Sequence, residues 1–378
     1  MKIAINCAFF QPKGGGIKEY IQNLVENISI LDSENEYILY ILKDQFDYTK
    51  QNLNTNFRIK VIPYKSEGLV NKIIRSLSED KFWRKEELIE KWDIFHSPFF
   101  HGPKLKKAKL ILTVHDLRFF RYPKTYTWLR YFYLKYAVKR SITNANHIIS
   151  ISQFTKDEIC AAYNIDQHKI TVIHEAVNPV HFTSYNLNSI DLGKLKKISP
   201  KDFILTVGHL EPRKNYNVLI SSFLRFKKES IKSKNLKLVI VGKKGHDYQS
   251  TIDLINRHSN DIIYLDFVSQ SLLNWLYANA LLFIFPSIYE GFGFPPLEAA
   301  CHDLVSAVSN TSCIPEICEN GAFYFDPYSE ESIVRTINES LYNESERKKV
   351  LEKIKERLKS FSWEKNASET IKLYRTII

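Results

Sequence analysis

Strand-like and helix-like stretches alternate along this chain in two separate series, and that alternation limits its fold more than any other feature. KIAINCAFF, EYILYIL, FRIKVIPY, WDIFHSP, KLILTVHD, HIISIS and KITVIHEAV read as strands. IKEYIQNLVENISIL, the segment around 124–143 and FTKDEICAAYNI read as helices. The strands are continuous apolar runs, which fits burial on both faces of a parallel sheet wrapped by helices. The pattern lapses in SYNLNSIDLGKLKKISPKD, a polar stretch with Gly and Pro, and a linker is expected there. It then restarts. FILTVGHL, LKLVIVGKK, IIYLDFVS, LLFIFPS, LVSAVS and GAFYFDP read as strands, and NYNVLISSFLRFKKES, QSTIDLINRHS, SQSLLNWLYANA and PPLEAACH as helices. From about 329 onward the chain reads as helix.

The expected class is therefore α/β: two doubly wound, Rossmann-like domains facing each other across a cleft. Residues 1–185 and 186–360 would form the domains, and a helix in 361–378 would cross back to the N-terminal one. A length of 378 residues suits two such cores. In these sheets ligands bind beyond the carboxyl ends of the strands.

Composition removes several classes. Apolar residues make up 44% and charged residues 25%, as in a folded soluble protein. The five cysteines are odd in number and form no C-x-x-C pair, so a reduced, cytoplasmic protein is expected. MKIAINCAFF reads as a first strand rather than a signal peptide, and no apolar run is long enough to span a bilayer. The net charge of +11 is unevenly spread: residues 101–140 hold eleven Lys or Arg against the single acid Asp116. There, RFFRYPKTYTWLRYFYLKYAVKR interleaves aromatics with cations. An anionic membrane surface is the favoured partner for it. The blander reading is an amphipathic helix whose aromatics are core. Single-stranded nucleic acid is the least favoured and is not expected as a partner.

Four constellations could carry chemistry. In FFQPKGGGIKEY, Gly14, Gly15 and Gly16 follow the first strand and open a helix, where backbone N–H groups suit phosphate; the alternative is a plain tight turn. In TVHDL, His115 and Asp116 end a strand, and His115 is either a ligand to a substrate hydroxyl or a structural histidine. In TVGHLEPRKN, Gly208 ends a strand and Arg213 and Lys214 stand at the next corner, placed for a diphosphate or lying in a solvated loop. In PSIYEGFGFPPLEAA, Glu290 and Gly291-Phe292-Gly293 form a loop before a helix that Pro295 and Pro296 begin, with Glu298 in its first turns. Carboxylates beside exposed backbone N–H groups suit a polyol joined to a phosphate. Helix capping by acids would explain one glutamate but not the glycines.

Together these segments resemble the GT4 family of retaining glycosyltransferases, whose fold is GT-B. VGHLEPRKN, then PSIYEGFGFPPLEAAC with the family's E-x7-E at Glu290 and Glu298, then SNTSCIPEICENGAFYFDP carry the resemblance. The glycine run, the His-Asp pair, ISISQFTKDEI and FSWEKNASETIKLY agree with it. The chain departs from the family at Asp266, where a glycine is usual, and at EAVNP, residues 175–179, in place of N-G-V-D.

The resemblance implies roles. Glu298 would bind the ribose; Glu290 and the backbone of Phe292 and Gly293 would hold the donor sugar. Arg213 and Lys214 would neutralise the diphosphate, with Gly208 beside them. The backbone of Gly15 and Gly16 would face the phosphates or the acceptor. His115 would contact the sugar, Phe267 and Val268 would lie near the base, and Ser152 would stand at the cleft. The sequence contains no Asp-x-Asp, so no metal and no cofactor is expected. The wording most resembles bacterial O-antigen and capsule mannosyltransferases. It implies GDP-mannose as donor, with a UDP-hexose or dTDP-rhamnose as alternatives, and a glycan or polyprenyl-diphosphate-linked acceptor at the inner face of the cytoplasmic membrane. A GT-B epimerase and a non-catalytic membrane- or RNA-binding protein are the competing readings.

Overall fold

A computed structural model describes residues 1–8, 16–43, 53–63, 69–178, 193 and 198–378. The chain divides into two compact units, Met1–Ala176 with Ser362–Ile378, and Val177–Phe361.

In the first unit, β1 (Lys2–Asn6) leads to α1 (Gly16–Leu31), then β2 (Glu36–Leu42), β3 (Phe57–Ile62), α2 (Leu69–Glu90), β4 (Ile94–Ser97) and β5 (Lys109–Val114). There follow α3 (Arg118–Arg121), α4 (Trp128–Asn144), β6 (His147–Ser150), α5 (Gln153–Tyr163) and β7 (Ile170–Val172). The strands form one sheet in the order β3-β2-β1-β4-β5-β6-β7, parallel at every pairing. β1, β4 and β5 are buried almost throughout, which is why they read as unbroken apolar runs.

α2 is the one long element that the apolar pattern does not announce, and its packing explains why. Its buried side includes Glu79, Glu86, Glu87 and Glu90, while Leu88 and Ile89 face solvent. Each acid has a partner. Glu79 accepts from the Trp83 indole at 3.1 Å and Glu86 from the Tyr40 hydroxyl at 3.1 Å. Glu87 accepts the backbone N–H groups of Lys106, Lys107 and Ala108, and Glu90 pairs with Arg58 and Lys60. A helix that buries satisfied acids inverts the usual binary pattern.

The second unit runs β8 (Phe203–Val207), α6 (Tyr216–Glu229), β9 (Lys237–Val241), α7 (Gln249–Arg257), β10 (Ile262–Leu265), α8 (Gln270–Asn279) and β11 (Leu282–Phe285). It continues with α9 (Phe294–Cys301), β12 (Ser306–Ser309), α10 (Ile314–Cys318), β13 (Phe323–Phe325), α11 (Glu330–Tyr342) and α12 (Glu344–Leu358). Its sheet has the order β10-β9-β8-β11-β12-β13, again all parallel. Both sheets are doubly wound, as expected. The strand order reverses between β1 and β4 in one unit and between β8 and β11 in the other. The last helix, α13 (Trp363–Ile377), belongs to the first unit, where it packs against α1.

Candidate active site

The reversal point between β8 and β11 puts two loops side by side, and the charged residues of the second unit stand on them. After β8, a 3-10 turn over Pro212–Lys214 carries Arg213 and Lys214 to the start of α6. Asn215 closes that turn in the left-handed conformation, and its side-chain amide donates to the Pro327 carbonyl at 2.7 Å. After β11, the chain passes through Tyr289 and Glu290 to Gly293, which caps α9 with φ near 92°. The backbone joins the loops directly: Ile288 N–H donates to the Arg213 carbonyl at 2.8 Å.

The side chains join them again. Glu290 Oε1 lies 2.6 Å from Lys214 Nζ and 2.9 Å from Arg213 Nη1. Arg213 also donates from Nη1 to the Tyr289 carbonyl at 3.1 Å and from Nε to Glu211 at 2.9 Å. Lys214 is nearly buried, its ammonium 4.7 Å above the ring of Phe285. Burial works against a charged Glu290, but Arg213 and Lys214 outweigh it and bring the carboxyl down to about 2. The expected pair of cations is thus held by two carboxylates, Glu290 and Glu211, in a cluster of no net formal charge. Glu211 stands two residues before Arg213, yet nothing in the motif had assigned it a role.

Glycine makes this corner possible. A Cβ on Gly208 would meet Lys214 Cε at 2.9 Å, so the lysine lies against bare backbone. Gly242, at the end of β9, has φ near +152°, and a Cβ there would come 2.0 Å from the Gly208 carbonyl oxygen. Two strand-end turns therefore pack backbone against backbone, linked by Gly208 N–H to the Val241 carbonyl at 2.8 Å. Gly242 lies within LKLVIVGKK, where the sequence reading saw only a strand.

Glu298 sits on α9 and accepts the Tyr277 hydroxyl at 2.7 Å. Tyr277 is buried and stacks on His302, with ring centroids 5.4 Å apart. Burial first, and then Glu298, holds its hydroxyl protonated far above the usual tyrosine range. Phe292 is buried in the loop before the helix. Phe267 is 65% exposed after β10 with Lys243 Nζ 4.7 Å from its ring centroid, while the neighbouring Val268 points inward. Phe267 thus presents an exposed ring with a cation over it at a strand end.

The first unit gathers a different set. His115, just past β5, has Nδ1 2.8 Å from Glu175 and Nε2 3.0 Å from the Pro98 carbonyl. Both partners only accept, so the ring donates from both nitrogens and is an imidazolium. Burial opposes that charge, but Glu175 prevails and raises His115 above the usual histidine range. Next to it, His96 lies 2.6 Å from the Tyr374 hydroxyl and 2.9 Å from the Thr113 hydroxyl, partners that can each give or take a proton. Burial, helped by the charge on His115, holds His96 neutral with a pKa of about 3. Tyr20 adds its hydroxyl to Thr113 at 3.2 Å and its ring edge-on to His115. Both nitrogens of His115 have protein partners, an arrangement closer to the structural-histidine alternative. Ser152 caps α5 by accepting the Thr155 N–H. Gly16 is the first residue of α1, whereas Gly14 and Gly15 lie outside the described residues. Among the described residues, no group of three or more His, Cys, Asp or Glu is placed to hold a metal.

Two parallel, doubly wound sheets are those of the GT-B fold. Residues 14–181 match the family described as Glycosyltransferase Family 4, and residues 190–357 match Glycosyl transferases group 1. The chain belongs to glycosyltransferase family 4 and is a glycosyltransferase. It is 28% identical over 287 residues to O-antigen chain mannosyltransferase B of Escherichia coli, covering 75% of this chain and 74% of that protein. It is 33% identical over 224 residues to O-antigen chain mannosyltransferase RfbU of Salmonella typhimurium, covering 58% of each. Among solved structures, sucrose-phosphate synthase of Thermosynechococcus elongatus superposes with a TM-score of 0.74 at 15% identity, over 100% of this chain and 99% of that one. WaaG, a glycosyltransferase involved in lipopolysaccharide biosynthesis, gives a TM-score of 0.70 at 13% identity, over 98% and 99%.

Proposed function

We propose that this chain transfers mannose from GDP-mannose, with retention, onto a glycan or polyprenyl-diphosphate-linked acceptor in bacterial surface polysaccharide synthesis. The observation that carries the reading is the buried Lys214–Glu290–Arg213 cluster at the β8/β11 reversal point. The names of the two relatives, both O-antigen mannosyltransferases, support mannose as the sugar. A lipid-carried acceptor places the reaction at the inner face of the cytoplasmic membrane.

Arg213 and Lys214 meet the diphosphate, stabilising charge as the sugar departs. Glu290 keeps the two cations aligned and offers its carboxylate to sugar hydroxyls. Glu298, oriented by Tyr277, takes the ribose, and Phe267 takes the base by stacking. The bond between the anomeric carbon and the β-phosphate oxygen breaks. The acceptor oxygen bonds to that carbon on the same face, and its proton leaves on the departing phosphate oxygen. Arg213 and Lys214 are the positive groups in these steps, Glu211 and Glu290 offset part of their charge in the free protein, and no metal is invoked.

A thermal-shift series with GDP, UDP, ADP and dTDP and their sugars, with and without EDTA, tests this. GDP and GDP-mannose are expected to raise the melting temperature selectively, with EDTA making no difference. Selective stabilisation by UDP-hexose or dTDP-rhamnose would reassign the donor. EDTA-sensitive stabilisation would end the metal-free reading.

A further inference from the structure

The basic, aromatic stretch of the first unit resolves into one well-defined face. α4 packs inward through Ala137, Val138, Ser141 and Ile142, with Leu134 partly covered. Apart from the half-buried Tyr131, its aromatics do not join that side. Trp128 is 71% exposed, Leu129 74% and Tyr136 69%, with Phe132 and Tyr133 about half exposed. At helical spacing these five side chains share the outward face of the first three turns. Such a run of large apolar groups is too dense for ordinary surface. Trp128, Phe132, Tyr133 and Tyr136 are therefore not core, whereas Phe119 of the same stretch is.

The cations sort as well. Arg140 pairs with Asp80 and Arg121 with Glu158, so neither offers its full charge to an outside partner. Lys135 and Lys139 are exposed on the same outward side, one turn apart, and no described acid pairs with them. Trp128 packs edge-on against Phe132 at 5.0 Å, giving the apolar end of the face a continuous ridge.

We infer that the outward face of α4 docks on an anionic phospholipid bilayer. Trp128, Leu129, Phe132 and Tyr136 enter the headgroup–acyl boundary, and Lys135 and Lys139 reach the lipid phosphates. This deepens the lipid-linked acceptor reading and rests on it for its purpose, though not for its test. Aromatic rings favour that boundary, and lysine stems lie along apolar surface while the ammonium stays in the polar layer. Charge complementarity selects the occupant. A second copy meeting the same face about a two-fold axis would set lysines against lysines.

Tryptophan fluorescence gives a direct test, because Trp83, Trp92, Trp275 and Trp363 are buried and Trp128 is the exposed one. The full chain is mixed with phosphatidylglycerol–phosphatidylethanolamine vesicles and, separately, with phosphatidylcholine vesicles, without nucleotide sugar or acceptor. A blue shift quenched by brominated lipid, and co-flotation with anionic vesicles only, are expected. W128A/F132A should lower partitioning at least about tenfold. Each cation near an anionic surface contributes about fivefold, so K135E/K139E should lower it about 25-fold or more and flatten its salt dependence. Transfer to a short soluble acceptor is measured beside this and should be unchanged in both variants. That separates failure of docking from failure of the transferase reading. Unaltered emission, equal partitioning of the variants, a concentration-dependent dimer through this face, or preferential binding of a single-stranded RNA oligonucleotide would each overturn the inference.

Discussion

The polar groups of the two units are assembled in opposite ways. In the second unit, Glu211, Arg213, Lys214 and Glu290 come from two short segments that adjoin at one reversal point. In the first, Tyr20, His96, Thr113 with His115, Glu175 and Tyr374 come from five separate places in the chain, including the last helix. The second cluster balances cations against carboxylates. The first sets a charged histidine beside a neutral one, and the distinction follows from the partners: His115 has acceptors on both sides, His96 has hydroxyls. A compact motif thus announces charge chemistry, whereas a dispersed network leaves almost no local trace.

The sharpest way to break this comparison is at Glu290. Glu290→Ala leaves Lys214 buried without its counter-ion, at a cost of about 3 kcal/mol in stability. The same change should reduce kcat at least about a hundredfold. Chemical denaturation and transfer kinetics would measure the two separately, and a loss of activity below tenfold would remove Glu290 from the machinery. The acid limb gives an independent check. The folded carboxyl titrates near 2 against 4.5 when unperturbed, so the stability it gives is complete above about 4.5 and is lost as pH falls toward 2. That loss amounts to about 3 kcal/mol and should be largely absent in Glu290→Gln.

A smaller effect is expected in the first unit. With Glu175→Gln, burial acts on His115 with its main compensation gone, and its pKa should fall. Two-dimensional NMR of the imidazole nitrogens would follow the titration. The sign is definite. A raised pKa gives stability that is complete below 6.5 and is lost as pH rises through the folded value, so wild type should lose this increment on the alkaline side and the variant should not show it. Glu175→Asp should restore part of the shift. An unchanged His115 titration would mean that Glu175 does not govern the ring.

This contrast also explains what was legible in the sequence. Strands buried on both faces, such as β1 and β11, wrote themselves as apolar runs. Arg213, Lys214, Glu290 and Glu298 stood out because they flank strand ends beside Gly and Pro. α2 did not, since its inward face carries glutamates whose hydrogen bonds come from distant segments. Glu175 was noticed only as part of a departure from the family pattern, and its bond to His115 spans 60 positions. Tyr277 was hidden within an ordinary amphipathic helix, although it is the hydroxyl that holds Glu298.

Tyr277 also provides the finest test of how far the second site extends beyond its motif. Tyr277→Phe removes one hydroxyl from a buried position and leaves the ring stacked on His302. A hydrogen bond to a carboxylate is worth about 1.5 kcal/mol or more, so Glu298 loses its fixed orientation without losing its charge. If Glu298 holds the ribose, the Kd for GDP measured by calorimetry should rise about fivefold to tenfold. Glu298→Ala should then weaken GDP further, and combining the two changes should add little, because Tyr277 acts only through Glu298. An unchanged Kd in Tyr277→Phe beside a weakened one in Glu298→Ala would make Tyr277 a core residue alone. The second site would then be confined to the contiguous residues that first marked it.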